Sequence, residues 1–254
     1  MSSWWVDPSL APTVSRAFAS IEAVFALEGE RIARSPLSVV LRVSLNGQRY
    51  YVKRYAGDRQ GLFRSWFGLR SRLLTPPVQK EWQNLQAFQA WGIPTARLVA
   101  YGLERKGRRF VRGALITEEL PDTVDMAEMA RLGDQRLKDG RWVMAVSQQL
   151  ARATRTMHAA GFAHNDLKWR NLLVDRSDPP RLYFIDCPAG SIWWGPFLEY
   201  RKIKDLACLD KVAKYQLRPS QRMRFYLDYL AKPKLDAGDK KQLRHILGYF
   251  EGRE

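Results

Sequence analysis

The chain is expected to fold as an α+β protein of two lobes, a small antiparallel-sheet lobe with one main helix followed by a mainly helical lobe. Three observations predict this. An Asn46-Gly47 dipeptide separates two strand-like segments, and one amphipathic helix and a second strand pair follow it. Beyond Asp122 the pattern is mainly helical, with Val143, Val146, Leu150, Ala153 and Met157 recurring at helical spacing. That region is broken once, by a polar loop from His164 to Asn171 and two short apolar runs.

The first strand pair runs from Ser38 to Leu45 and from Gln48 to Tyr55, since Asn-Gly readily takes the positive φ values of a type I′ turn. Val78 to Trp91 reads as a helix with Trp82, Leu85, Phe88 and Trp91 on one face, ended by Gly92 and Pro94. Arg97 to Leu103 and Gly113 to Leu120 form the next strand pair, around Lys106-Gly107. Trp142 to Ala160 is a helix, with Gly161 where a left-handed residue is expected. After the polar loop come Leu172-Leu173-Val174, a turn from Asp175 to Pro180, and a strand from Arg181 to Ile185 that ends on Asp186.

With 254 residues and 46% hydrophobic content the chain can build a sizeable core, which excludes a disordered protein. Its 42 Lys and Arg against 26 Asp and Glu give a net charge of +16, so the surface field attracts polyanions: nucleic acid, anionic lipid or charged glycans. No nucleic-acid-binding motif is visible, and no nucleic-acid partner is expected. Cys187 and Cys208 supply neither a disulfide framework nor metal-site spacing and are expected to be buried thiols. No apolar run reaches the ~20 residues of a membrane span, and Met1 to Asp7 lack the regions of a signal peptide, so a cytoplasmic location is expected.

The sequence His164-Asn165-Asp166-Leu167-Lys168-Trp169-Arg170-Asn171, followed by Ile185-Asp186, resembles the catalytic loop and metal-binding strand of the protein-kinase fold. In that pattern an Asp faces the attacking hydroxyl, a Lys two residues on meets the transferred phosphate, and an Asn five residues after the Asp holds Mg²⁺. Phosphoryl transfer needs such a set because charge spreads over the γ-phosphate oxygens, where oxygen-held Mg²⁺ and a nearby cation lower the barrier. The resemblance implies that Asp166 and Lys168 are catalytic, that Asn171 and Asp186 bind metal, and that Lys53 pairs with Glu81 to anchor ATP. Glu118, where the last strand of the first lobe enters a hinge at Pro121, joins the nucleotide-binding candidates. The phosphate loop is expected within Glu28 to Ser38; it holds one glycine, so Arg34, Ser35 and Ser38 are the candidates for contacting phosphate, Arg34 and Ser35 first among them. Residues 1–120 then form a nucleotide-anchoring lobe, and residues 121–254 carry the catalytic loop and acceptor site.

More narrowly, the chain resembles the lipopolysaccharide core sugar kinases, which include heptose kinases of the WaaP type and Kdo kinases. The likeness rests on Tyr51-Val52-Lys53-Arg54-Tyr55, on Glu81 to Leu85 leading to Gly92-Ile93-Pro94-Thr95, on the loop and Ile185-Asp186, and on Lys204-Asp205-Leu206-Ala207, extending to Leu230. It implies ATP- and Mg²⁺-dependent phosphorylation of a heptose or Kdo hydroxyl in the inner core of lipopolysaccharide, the glycolipid acceptor. Asp205 would support the catalytic loop. Asn165, and Cys187-Pro188 after the metal Asp, depart from typical protein kinases and argue against control by activation-loop phosphorylation. Trp193 and Trp194 fit an acceptor-site wall and core packing equally well. The basic segment 61–74, with Leu62, Phe63, Trp66 and Phe67 on one helical face, suits peripheral contact with the anionic inner-membrane surface or docking onto the first lobe. Three alternatives stay open: an atypical protein kinase, another small-molecule phosphotransferase, and a non-catalytic kinase-like binding protein.

Overall fold

The computed structural model describes residues 2–57 and 75–252, so the basic segment 61–74 lies outside the described residues. The chain divides into two compact units, Met1–Gln86 with Ala96–Leu120, and Ala87–Thr95 with Pro121–Glu254.

The first unit is built on a six-stranded antiparallel sheet. Its strands are β1 (Ser2–Val6), β2 (Glu30–Arg34), β3 (Ser38–Leu45), β4 (Gln48–Ala56), β5 (Leu98–Lys106) and β6 (Arg109–Glu118), in the order β1-β5-β6-β4-β3-β2. The β3–β4 hairpin turns at Asn46 and Gly47, with φ of 51° and 76°, and Leu45 pairs with Gln48, as a two-residue type I′ turn requires. Alternation along β4 then sorts its side chains between two layers. Tyr50 and Val52 enter the core with Val14, Phe18 and Val24, carried on and beside the short helices α1 (Pro12–Ala17) and α2 (Ile21–Ala26). Lys53 and Tyr55 face the other way, toward α3 (Pro77–Ala90). Gly113 on β6 permits that packing, because a Cβ there would lie 2.7 Å from Val78 Cγ1 and 2.9 Å from the Gly102 carbonyl oxygen.

Beyond the expected strands and helix, the unit contains β1, β2, α1 and α2. β1 gains its place from tertiary contacts: Trp4 donates its indole N–H to the Phe18 carbonyl at 2.7 Å, and the Trp5 ring lies 4.9 Å from that of Tyr101. β2 is exposed along its length and is held by pairing with β3, the sort of charged edge strand that a hydrophobic pattern does not disclose.

In the second unit, β7 (Val124–Asp125) leads into α4 (Met126–Leu132), whose N-terminus Asp125 caps by accepting the Ala127 and Glu128 N–H groups. Asp139 likewise caps α5 (Gly140–Ala159), and Gly161 follows with φ of 72°. The chain continues through β8 (Phe162–Ala163), a 3-10 turn at Trp169–Asn171, β9 (Leu172–Val174), β10 (Leu182–Phe184) and β11 (Ser191–Ile192). Strand β9 lies between β10 and β7, and β11 pairs with β8. Helices α6 (Gly195–Gln216), α7 (Pro219–Leu230) and α8 (Ala237–Leu247) complete the unit, packing Leu206, Ala207, Tyr226, Tyr229 and Ile246 around Ala151 of α5. Phe88 belongs to this unit and touches the rings of Phe162, His164 and Phe184.

Candidate active site

The candidate residues form two sets, one in each unit. In the first, Lys53 Nζ lies 2.8 Å from Glu81 Oε1, and the Tyr55 hydroxyl bonds the other carboxylate oxygen. Glu81 is buried, and a carboxylate removed from water at this depth requires such partners. Tyr55 was not among the sequence candidates; its signal was its position two residues after Lys53, on the same face of β4.

Ser35 sits in the turn between β2 and β3. Its hydroxyl accepts the Leu37 and Ser38 N–H groups at 3.3 and 3.0 Å and lies 2.9 Å from the Ser38 hydroxyl. The side chain thus shapes the turn, while Arg34 ends β2 on an exposed edge. Glu118 ends β6 in an ion pair with Arg97 at 3.0 Å, and Arg97 also reaches Asp7 at 2.6 Å. Neither Ser35 nor Glu118 is brought together with the Lys53 pair by any of these contacts.

The second set gathers on one carboxylate. Asp166 is met by Lys168 Nζ at 2.5 Å and by Arg170 Nη2 at 3.0 Å. The Asn171 amide nitrogen donates to the Asp166 carbonyl at 2.7 Å and to its carboxylate at 3.3 Å. Ile185 donates its N–H to the Asn171 carbonyl at 3.0 Å, continuing the β9–β10 register, so Asp186 leaves β10 beside the loop. Burial opposes ionisation of Asp166, but the hydrogen bonds and charges of Lys168 and Arg170 outweigh it and hold the carboxyl below its ordinary value. Asp166 is therefore an anion at neutral pH. Arg170, absent from the sequence candidates, was signalled by its place four residues after Asp166.

Behind the loop, the buried Asp205 carboxylate accepts the N–H groups of His164 at 2.7 Å and Asn165 at 2.9 Å. Asn165 and Asp186 have φ of 65° and 58°, a left-handed region that Asn and Asp enter more readily than other non-glycine residues. Asn165 is held there by Lys204 Nζ on its carbonyl at 3.0 Å, and its amide donates to the Ala189 carbonyl at 2.9 Å. The His164 ring is fully buried, with neither nitrogen bonded among the described residues. Burial pushes its imidazole below the ordinary value, against the pull of Asp205, Asp166 and Asp186. The two tryptophans part: Trp193 stacks under Arg201, 4.5 Å from its ring centre, while Trp194 is 76% exposed.

A family model described as "Lipopolysaccharide kinase (Kdo/WaaP) family" matches residues 20–229. The chain belongs to this family. It is accordingly a lipopolysaccharide kinase, an ATP-using phosphotransferase that acts on a sugar hydroxyl. It is 29% identical over 223 residues to the lipopolysaccharide core heptose(I) kinase WaaP of Pseudomonas aeruginosa, covering 84% of this chain and 81% of that one. Similarity to the B1 kinase of Vaccinia virus is partial, 28% identity over 46% of this chain and 37% of the viral protein. A solved structure described as "WaaP in complex with acyl carrier protein" shares the fold, with a TM-score of 0.73, 24% identity, and coverage of 99% of this chain and 97% of that one. Both resemblances drawn from the sequence, to the kinase fold and to lipopolysaccharide kinases, hold. Among the described residues no helix is long and apolar enough to cross a membrane.

Proposed function

We propose that this lipopolysaccharide kinase transfers the γ-phosphate of ATP to a heptose or Kdo hydroxyl of the inner core, with Asp166 and Lys168 as its catalytic residues. The observation that carries this reading is that Asn171 bonds in two directions, its side-chain amide donating to the Asp166 carbonyl and carboxylate and its backbone carbonyl accepting the Ile185 N–H, which ties a carboxylate, an amide and the end of the Asp186 strand into one constellation. As the acceptor oxygen attacks the γ-phosphorus, the bond to the β–γ bridging oxygen breaks and the hydroxyl proton passes to Asp166. A carboxylate with a lowered pKa is a weak base, so its main work is to orient the hydroxyl and accept the proton late, as a loose transition state permits. Lys168, half exposed, can exchange its ion pair for the transferring phosphate.

Asn171 and Asp186 suit Mg²⁺, which favours one or two protein oxygens and completes its shell with phosphate and water. The Asn171 amide nitrogen is committed to Asp166, which leaves the amide oxygen for a cation. Among the described residues there is no group of three or more His, Cys, Asp or Glu that could hold a metal ion. Bound Mg²⁺ would neutralise phosphate charge. Lys53, oriented by Glu81, anchors the ATP phosphates, with Arg34, Ser35 and Glu118 as further nucleotide contacts.

Two partners extend the reading. The basic segment 61–74 places the enzyme peripherally on the anionic inner face of the inner membrane, where its glycolipid acceptor resides. An acyl carrier protein is the second, supported by an apolar cavity of about 210 Å³ in the second unit, lined by Val143, Val146, Leu150, Leu206 and Leu209, of a nature to receive an acyl chain.

The catalytic assignment is tested with Asp166→Ala and Asp186→Asn. Asp166→Ala is expected to lose at least about 10²-fold in kcat, and Asp186→Asn to need far more Mg²⁺ for nucleotide binding, both with wild-type melting. Substantial turnover by either well-folded variant at ordinary Mg²⁺ counts against the assignment.

A further inference from the structure

Two buried polar side chains given no role above, Tyr229 on α7 and His158 at the end of α5, lie behind the loop. The Tyr229 hydroxyl is 2.8 Å from His158 Nδ1, and His158 Nε2 is 3.4 Å from Asp205 Oδ2. Asp205 in turn accepts the backbone N–H groups of His164 and Asn165. A carboxylate only accepts, so Nε2 carries a proton toward Asp205; in the neutral ring Nδ1 is then an acceptor, and Tyr229 donates to it. In that form the donors run in one direction, from the tyrosine through the histidine to the carboxylate.

We propose that Tyr229 is a positioning residue for phosphoryl transfer, acting through His158 and Asp205 on the backbone that delivers Asp166. The proposal rests on the reading of Asp166 as the catalytic carboxylate. Three features support it. Asn165, between the anchored His164 and Asp166, holds a left-handed φ and is fixed there by Asp205, Lys204 and the Ala189 carbonyl. The Asp205 carboxylate is completely buried, so its orientation is set by the groups that bond it, His158 among them. Burial also pushes the Tyr229 phenol above its ordinary range, which keeps it an O–H donor at working pH.

A control lies on the same helix. The Tyr226 ring, also buried, stacks on that of Tyr229 at 6.2 Å, yet its hydroxyl bonds Gln242 Oε1 at 2.9 Å and the Asp239 carbonyl at 3.3 Å, on α8. Tyr229→Phe and Tyr226→Phe each remove one buried hydroxyl, and only the first touches the chain leading to the loop.

The experiment compares kcat, KM and melting of the wild type, Tyr229→Phe, Tyr226→Phe, His158→Leu and the Tyr229→Phe/His158→Leu double variant, with ATP and purified lipopolysaccharide core. Tyr229→Phe is expected to lower kcat about three- to tenfold with KM unchanged. Tyr226→Phe should shift melting by a similar amount and keep the wild-type kcat. The double variant should be no slower than His158→Leu alone, because both changes cut one path. An unchanged kcat in Tyr229→Phe, an equal loss in Tyr226→Phe, or multiplied losses in the double variant each overturn the proposal. If His158→Leu does not fold, the two tyrosine variants decide the matter. Undiminished turnover by Asp166→Ala would instead overturn the reading on which it rests, an outcome that the tyrosine series cannot imitate.

Discussion

Lys53 and Glu81 have unequal tasks in this account, and their variants should separate them. Lys53→Ala removes the proposed phosphate contact and leaves a buried carboxylate short of a partner, so activity should collapse and stability fall with it. Glu81→Gln keeps the shape and loses only the charge that positions the lysine, so a smaller loss of activity, about tenfold, is expected. Steady-state kinetics with melting controls checks this, and equal activity in wild type and Lys53→Ala would remove Lys53 from the site. His164 provides a test through pH. Its folded pKa is lowered, so the unfolded chain binds more protons between the folded value and the ordinary 6.5. Stability should therefore be level above pH 6.5 and decline as the pH falls through that window, by up to about 1.4 kcal/mol per unit from this group. His164→Phe should reduce the acid-side slope of denaturant stability by one proton. An unaltered slope would show that the wild-type ring is not buried neutral.

At the scale of elements, close approach between backbones sets the architecture of the sheet. Gly113→Ala would force a Cβ against Val78 and the Gly102 carbonyl and should cost about 1–3 kcal/mol, read as a lowered denaturation midpoint; wild-type stability would mean that α3 does not pack there. The β3–β4 hairpin was legible because Asn46-Gly47 specifies its own turn, and α5 because its apolar stripe and Gly161 agree, although its Asp139 cap and first turn lie ahead of the Trp142 start read from that stripe. The loop from His164 to Asn171 was legible because its chemistry demands particular residue types at particular spacings. β1 and β2 were not, since short edge strands owe their form to the partner they pair with. Tyr55, Arg170 and the His158–Tyr229 pair escaped for a related reason: each matters through a contact made in space, to Glu81, Asp166 and Asp205. Ser35 shows the converse, a residue that a phosphate-loop reading selects but whose hydroxyl also builds the turn it sits in.

For the whole molecule, a net charge of +16 favours a polyanionic acceptor, and the charge is screened by salt. Each arginine near an anionic bilayer contributes about 1 kcal/mol, so co-sedimentation with anionic liposomes should fall steeply as salt rises. Replacing Phe63, Trp66 and Phe67 by Ser should weaken it further at unchanged ATP affinity. Normal liposome binding by that variant would mean that the segment has another task.

The role proposed for Asp166 is to direct phosphate from ATP onto lipopolysaccharide core. Its most direct test is mass spectrometry of core oligosaccharide after incubation with ATP and either the purified wild-type enzyme or Asp166→Ala. One added phosphate on an inner-core sugar is expected with the wild type and none with the variant. No mass gain with the wild type, or the same gain with both proteins, would contradict it.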